Sequence, residues 1–215
     1  MKKELEDLRN NYTRFDLKKS DLPDNPIVFF KEWMEVAIKS NIDEPNAMTL
    51  ATATTAGVPS ARIVLLKGID DEGFLFYTNY ESRKGYELLH NPNVAMVFLW
   101  KENERQVRIE GVAEKISKEA SQAYFDSRPV GSRISAIASP QSQRIETYEI
   151  LEDRREKAAD FYKDEKAIRV PEYWGGYRVI PRAIEFWQGR PNRLHDRFRY
   201  QKDEKGSWGV NRLAP

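Results

Sequence analysis

The chain has 215 residues and a formal net charge of +1, and 40% of its residues are hydrophobic while 32% are charged. This length suits one large domain or two small ones with a core of ordinary size, and the composition is that of a globular protein. The near-neutral charge argues against a generally basic protein that binds nucleic acid. Cysteine is absent, which excludes disulfides and thiolate chemistry, and the two histidines lie far apart in sequence, so we predict no metal site.

The sequence carries no signal for a membrane or for export. Its longest apolar run, residues 94–100, is far shorter than the roughly 20 residues that a membrane helix needs. The N-terminus lacks the apolar core of a signal peptide. We therefore expect a soluble, cytoplasmic protein without a membrane partner.

The chain begins with a charged segment. Residues 1–20 contain few apolar anchors, which predicts a mobile N-terminal arm or a weakly held short helix, and residues 21–215 are predicted to form a single domain. Asn25 followed by Pro26 is typical of an N-cap and a first-turn proline. Apolar residues then recur at helical spacing, namely Ile27, Phe30, Trp33, Met34, Ala37 and Ile38. This pattern predicts a helix that packs one face on a core.

From about residue 47 the pattern changes to short strands separated by turns. The predicted strands are residues 47–54, 60–67, 74–78, 94–100, 105–115, 173–180, 183–188, 195–202 and 207–213. Further helices are predicted at about 83–90, 117–127 and 144–163. Many antiparallel hairpins with a few helices predict an α+β fold around a β-barrel.

Residues 193–200 alternate with period two. On an extended strand, the basic residues Arg193, His195, Arg197 and Arg199 would share one face, opposite an apolar face. Their repulsion is unrelieved unless an anion, or an acidic residue from elsewhere in the fold, lies opposite them, and a solvated face is the alternative. Among arginines the charged form of His195 is disfavoured, which predicts a neutral imidazole.

Two further segments carry clustered cations. Arg62 and Lys67 bracket four aliphatic residues, and a regular strand would send them to opposite faces and to different anionic groups, unless both are simply polar strand ends in water. Ser82 resembles an N-cap, which puts Arg83 and Lys84 in a first helical turn, where the helix dipole disfavours cations. A bound phosphate would reverse that preference, because the free N–H groups and the two cations together suit an anion.

A third cluster lies on both sides of a predicted helix end at Pro129. Tyr124, Arg128, Ser132 and Arg133 supply donors of the kind that bind phosphate, although the helix dipole also attracts arginine to this position. Gln106 could bind the edge of a ring or face water. The G-x-G-x-x-G, P-loop, G-x-S-x-G and H-E-x-x-H motifs are absent. The clusters together fit a phosphorylated cofactor beside a phosphorylated substrate.

The run IEFWQGRPNRLHDR, residues 184–197, resembles the C-terminal signature of the pyridoxine/pyridoxamine 5'-phosphate oxidases position for position. The segments RIVLLK, SRK, RQV, YFDSRP, PQSQ and WGGYRV resemble family segments in family order, so the resemblance extends from about Arg9 to Pro215. It implies an α+β fold, an FMN-binding split β-barrel (antiparallel) with peripheral helices. It also implies a homodimer with FMN at the subunit interface.

The resemblance assigns roles to individual residues. FMN would be bound by Arg62, Ile63, Val64, Leu65, Leu66, Lys67, Tyr77, Thr78, Arg83, Lys84, Gln106, Gln141, Ser142, Trp187 and Arg197. The substrate would be bound by Arg9, Tyr12, Lys67, Tyr124, Arg128, Ser132, Arg193 and His195, of which Arg193 and His195 would be catalytic and lie over the pyridine ring. Arg9 and Tyr12 match residues of a family arm that closes over the substrate. Arg190 lies where the family pattern is not fixed and receives no role.

By the same resemblance, the expected reaction oxidises the 4'-carbon of pyridoxine 5'-phosphate or pyridoxamine 5'-phosphate to the aldehyde of pyridoxal 5'-phosphate. A hydride passes to FMN, and O2 is reduced to H2O2. The alternatives are a split-barrel FMN reductase with another substrate and a non-catalytic carrier of pyridoxal 5'-phosphate. A nucleic-acid partner is not expected, because the aromatic residues of 193–200 lie on the face opposite the arginines.

Overall fold

A computed structural model describes residues 6–8 and 10–215 of the chain. Within these residues the strands are β1 Ala47–Ala53, β2 Pro59–Leu65, β3 Gly68–Ile69, β4 Phe74–Asn79, β5 Asn93–Trp100, β6 Arg105–Lys115, β7 Trp174–Gln188, β8 Asp196–Lys202 and β9 Trp208–Arg212. The α-helices in the same range are α1 Pro26–Lys39, α2 Arg83–His90, α3 Lys118–Ser127, α4 Val130–Ala138 and α5 Tyr148–Phe161. Every segment predicted as strand or helix is therefore strand or helix, most within two residues of its predicted ends, although two predicted strands form the single strand β7.

The strands form one sheet in the order β2-β1-β5-β6-β7-β4-β3, and β8 pairs with β7 and β9. The pairs β3–β4, β4–β7, β7–β8 and β8–β9 are antiparallel. β7 was predicted as two strands, which was wrong. Its residues 174–179 pair with β4 and its residues 183–188 with β8, so Pro181, which has no N–H to donate, falls outside both of these ladders.

The described residues divide into two compact units. The first unit contains the described part of Met1–Thr49 together with Ala95–Gly111 and Pro181–Pro215, and the second contains Leu50–Val94 and Val112–Ile180. Each unit has aromatic residues in its core.

In the first unit, α1 supplies much of the core. The Asn25 side chain accepts a hydrogen bond from the N–H of Ile27 at 2.9 Å, which confirms the predicted cap and fixes the start of the helix. Phe186 of β7 is fully buried, and its ring centroid lies 4.6 Å from that of Phe29 and 5.2 Å from that of Trp33. Helix and sheet therefore share one aromatic core.

In the second unit, a cluster of buried apolar residues includes members of α3 and α4, and Ala158 of α5 packs against it. The cluster is formed by Phe125, Ile134, Ile168, Val170 and Trp174. Helix α4 was missed in the sequence, where Pro129 was taken to precede a turn. Pro129 instead lies at the N-cap of α4, where its fixed φ suits a helix start and its missing N–H is not needed. Helix α4 buries Ile134 and Ala138, and α5 contains no fully buried residue.

No helix in residues 6–8 and 10–215 is both long enough and apolar enough to cross a membrane.

The aromatic core of the first unit predicts a large effect of one truncation. We expect Phe186→Ala to lower the free energy of unfolding by about 3–5 kcal/mol, because a fully buried ring leaves a cavity. Phe161→Ala is the matched control, since this ring is 79% exposed, and should change stability by no more than about 0.5 kcal/mol. Urea denaturation at fixed FMN and protein concentration measures both, and equal losses would contradict the assignment of the core.

Candidate active site

The second unit contains a cavity of about 1020 Å³ whose wall is strongly cationic. Six basic side chains line it, namely Arg62, Lys67, Arg83, Lys84, Arg128 and Arg155. No Asp or Glu is among the described residues that line it. Like charges gathered around one cavity repel one another, so the cavity favours an anionic occupant.

At the start of α2, Lys84 is buried against neutral oxygen atoms. Its Nζ donates to Thr78 Oγ1 and to Gln141 Oε1, each at 3.1 Å, and more weakly to Ser82 Oγ at 3.4 Å. Burial, followed by the charge of Arg62, lowers the pKa of Lys84 to about 8. The Ser82 Oγ also accepts from the N–H of Gly85, which confirms the predicted N-cap. The predicted residues Thr78, Lys84 and Gln141 thus meet at one helix start.

A carboxylate outside the cavity wall orients two of its arginines. Glu87 Oε1 accepts from Arg83 Nε at 2.9 Å, and Glu87 Oε2 lies 3.5 Å from Arg62 Nη2. Burial would raise the pKa of Glu87, but hydrogen bonds from Ser60, Thr52 and Arg83 outweigh it and lower the pKa to about 2. Glu87 was not singled out in the sequence, although its position four residues after Arg83 on a helix was a usable signal.

A second group of donors lines the cavity beside the buried cluster of Trp174. The guanidinium carbon of Arg128 lies 4.9 Å from the Trp174 ring centroid, and its Nη1 is buried with no hydrogen-bond partner among the described residues. Burial lowers the pKa of Arg128. The ring of Tyr124 stacks on Tyr77 with centroids 3.7 Å apart, and Ser132 of α4 lines the same cavity. An unpartnered buried guanidinium N–H is what a phosphate oxygen would satisfy.

Most of the predicted cofactor residues line this cavity, namely Arg62, Ile63, Val64, Leu65, Lys67, Tyr77, Thr78, Arg83, Lys84, Gln141 and Ser142. The predicted phosphate ligands of the substrate line it as well, namely Lys67, Tyr124, Arg128 and Ser132. Leu66 is 6% exposed and belongs to the core rather than to the cavity wall. Arg62 and Lys67 were expected to face apart, yet both line the cavity, because β2 ends at Leu65 and Lys67 follows it outside the strand.

The predicted cofactor residues Gln106, Trp187 and Arg197 belong to the first unit, with the predicted substrate residues Tyr12, Arg193 and His195. Gln106 is partly buried on β6. Arg9 lies outside the described residues.

Arg193 does not lie on the predicted strand. It ends a short 3₁₀ turn, Pro191–Arg193, and β8 begins only at Asp196. Asn192 and Arg193 have φ values of +57° and +62°, a left-handed conformation that costs energy in residues other than glycine. The prediction that the strand includes residue 193 was therefore wrong, and Arg193 instead lies in a strained turn that precedes β8.

The geometry around His195 agrees with a neutral imidazole. The backbone N–H of Arg190 donates to His195 Nδ1 at 3.1 Å, so the proton of the neutral ring lies on Nε2. Burial, followed by the charges of Arg193 and Arg197, lowers the pKa of His195. The imidazole packs against Trp187 and Tyr12, with ring centroids 4.6 Å and 5.8 Å away. His195 is thus held as a hydrogen-bond donor through Nε2.

Acidic residues of the same unit relieve the charge of the other two arginines. Glu185 Oε1 accepts from Arg197 Nε at 2.8 Å, and its other oxygen accepts from Arg108 Nη1 at 3.4 Å. Arg199 Nη2 donates to Glu110 Oε2 at 2.9 Å. Acidic residues from elsewhere in the fold therefore lie opposite Arg197 and Arg199, while the contact of Arg197 with FMN stays a prediction.

The buried ammonium of Lys84 predicts how FMN affinity depends on pH, since FMN is the cofactor implied by the resemblance. A phosphate group favours charged Lys84, so binding above pH 8 must take up a proton, and affinity should fall by up to about tenfold per pH unit between pH 8 and 9.5. Lys84→Arg, which stays charged, should flatten this dependence. Fluorescence titration of FMN measures it, and an equal slope in both proteins would show that Lys84 does not contact the phosphate.

Comparisons with known proteins identify the family of the chain. Residues 34–162 match the family described as Pyridoxamine 5'-phosphate oxidase, and residues 174–215 match the Pyridoxine 5'-phosphate oxidase C-terminal dimerisation region. A pyridoxine/pyridoxamine 5'-phosphate oxidase of Salinibacter ruber is 54% identical over 212 residues, 98% of this chain and 99% of that protein. One of Leptospira interrogans is 53% identical over 215 residues and covers 100% of both chains.

Two solved structures are similar. PhzG from Burkholderia lata, in complex with tetrahydrophenazine-1-carboxylic acid, has a TM-score of 0.89 at 30% identity and covers 96% of this chain and 100% of that one. An FMN-binding protein of Nostoc punctiforme, related to pyridoxamine 5'-phosphate oxidase, has a TM-score of 0.71 at 16% identity and covers 90% of this chain and 100% of that one. The latter likeness concerns the fold alone.

The expected fold class is confirmed as α+β, an antiparallel split β-barrel of the FMN-binding type with peripheral helices. The cation-lined cavity and the segment around His195 both lie within the matched regions. The chain belongs to the pyridoxine/pyridoxamine 5'-phosphate oxidase family.

Proposed function

We propose that the protein is an FMN-dependent oxidase that converts pyridoxine 5'-phosphate or pyridoxamine 5'-phosphate to pyridoxal 5'-phosphate. The observation that carries this proposal is the cavity with six basic side chains and no acidic one among its described lining residues. Such a wall suits two phosphorylated molecules better than one neutral ligand. The names of relatives at 53–55% identity identify the substrate class.

The start of α2 is the proposed site of the FMN phosphate. Lys84 and Arg83 supply positive charge there, and the capped helix supplies backbone N–H groups. Hydrogen bonds from the Lys84 ammonium to Thr78 and Gln141 hold it at this position. Glu87 holds the guanidinium of Arg83 in place. Bound FMN would supply the redox chemistry, taking two electrons from the substrate as a hydride and passing two electrons, with two protons, to O2 to give H2O2.

Arg128, Tyr124 and Ser132 form the proposed site of the substrate phosphate, together with Lys67. The unpartnered Nη1 of Arg128 supports this role, because a phosphate oxygen would satisfy a donor that is otherwise buried without a partner. Binding the phosphate fixes one end of the substrate. The reacting 4'-carbon can then be oriented by contacts at the ring alone.

Arg193 and His195 are the proposed contacts of the pyridine ring. His195 is neutral, and its Nε2–H is free to donate because Nδ1 already accepts from the Arg190 backbone. Arg193 adds a fixed positive charge and several N–H donors, which would hold the polar atoms of the ring and so orient the 4'-carbon for loss of its hydride. A match to the C-terminal dimerisation region supports a homodimer, in which FMN is proposed to lie at the subunit interface.

Single substitutions distinguish the residues proposed to contact the pyridine ring from those proposed to bind the FMN phosphate. We expect His195→Ala and Arg193→Ala to keep one FMN per chain but to lose about 100-fold or more in kcat, since they act on the ring and not on the cofactor. Arg83→Ala should lose FMN first and recover activity when FMN is added in excess. H2O2 production with pyridoxine 5'-phosphate, beside the absorbance of bound flavin, measures both effects.

Two outcomes would contradict this proposal. If His195→Ala released FMN yet turned over normally on reconstitution, the ring assignment would be wrong. If the unaltered protein held FMN but formed no H2O2 with either phosphate ester, the oxidase assignment itself would fail and a reductase with another substrate would replace it.

A further inference from the structure

Arg190 makes three contacts that tie distant parts of the first unit together. Its backbone N–H donates to His195 Nδ1 at 3.1 Å, its Nη1 donates to the carbonyl oxygen of Phe15 at 3.4 Å, and its Nε lies 3.4 Å from Asp196 Oδ2. One residue thus joins the N-terminal segment to the residue proposed to contact the pyridine ring.

Asp196 is the second member of this connection. The residue is 7% exposed, and its carboxylate accepts from the backbone N–H of Leu17 at 3.2 Å and from Arg212. The same carboxylate oxygen, Oδ2, serves Leu17 and Arg190. The side chain of Arg190 therefore bridges two positions of the N-terminal segment, one through Phe15 directly and one through Asp196.

The N-terminal segment that Arg190 contacts also includes Tyr12, whose ring packs near the imidazole of His195. The ring of Tyr12 lies 5.8 Å from His195 and 5.7 Å from Trp187, centroid to centroid. A side chain at Gly189, the neighbour of Arg190, would bring its Cβ within 2.7 Å of the Tyr12 ring, so the approach depends on glycine there. The position of Tyr12 is thus coupled to the loop that begins at Gly189.

We infer that Arg190 is a positioning residue that docks the segment from Tyr12 to Leu17 beside His195 and so completes the binding site for the phosphorylated pyridine. This inference rests on the proposed function. It gives a role to a side chain that the family signature leaves open. Arginine suits this role because different nitrogens of its planar guanidinium can donate to a carbonyl and to a carboxylate at once, whereas lysine has a single ammonium.

The first test needs no substrate. Hydrogen–deuterium exchange of the FMN-loaded full chain should accelerate by about tenfold in the peptide spanning residues 12–17 in Arg190→Ala, because the Leu17 amide loses part of its support. Arg190→Lys should recover part of this protection. Arg154→Ala, which removes an exposed arginine from α5, is the matched control and should leave exchange in residues 12–17 unchanged.

Steady-state kinetics with pyridoxine 5'-phosphate then separate positioning from simple destabilisation. We expect Arg190→Ala to raise KM by about tenfold while kcat changes by less than about threefold and FMN content stays the same. A purely structural role would lower the active fraction and the melting temperature without raising KM. The Tyr12→Ala, Arg190→Ala double variant should be no worse in KM than Tyr12→Ala alone.

Unchanged exchange and unchanged KM in Arg190→Ala would overturn the inference, and so would additive effects in the double variant. Failure of the proposed function is distinguishable from both, because the unaltered protein would then form no H2O2, while the exchange experiment would still decide whether Arg190 docks the segment.

Discussion

Repulsion between like charges is the constraint on which the site in the second unit depends. Lys84 is buried against neutral oxygens and Arg128 keeps an unpartnered N–H, so both carry a desolvation cost that only an anion would offset. Glu87 is not among the described residues that line the cavity, and its carboxylate orients Arg62 and Arg83. The acid therefore fixes the geometry of the cations without neutralising the cavity.

In the first unit, by contrast, acidic side chains compensate two of the arginines directly. Arg197 and Arg199 are paired with glutamates of the same unit, whereas the residues proposed to contact the substrate ring are the neutral His195 and the turn residue Arg193. The pairing of Arg197 with Glu185 is close and partly buried, so it holds the guanidinium of Arg197 in place. The charges of the second unit favour an anionic ligand, whereas in the first unit the hydrogen bond from the Arg190 backbone fixes which nitrogen of His195 can donate.

Local patterns in the sequence were enough to predict the caps at Asn25 and Ser82 and nearly all strand positions, because those depend on neighbours along the chain. Long-range packing decided the rest. Helix α4, the continuity of β7 and the turn at Arg193 are set by what each segment packs or pairs with, which periodicity does not encode. Most candidate site residues were proposed from the family resemblance. The orienting role of Glu87 and the contacts of Arg190 join residues that are apparent as neighbours only in the three-dimensional structure.

The most direct test of the central claim is an absorption spectrum of the FMN-loaded protein recorded without oxygen, before and after addition of pyridoxine 5'-phosphate, and then in air. We expect the phosphate ester to bleach the flavin band, an equal concentration of unphosphorylated pyridoxine to leave it unchanged, and air to restore it. A flavin that stays oxidised with both, or is bleached equally by both, would contradict an oxidase that selects its substrate through a phosphate-binding cavity.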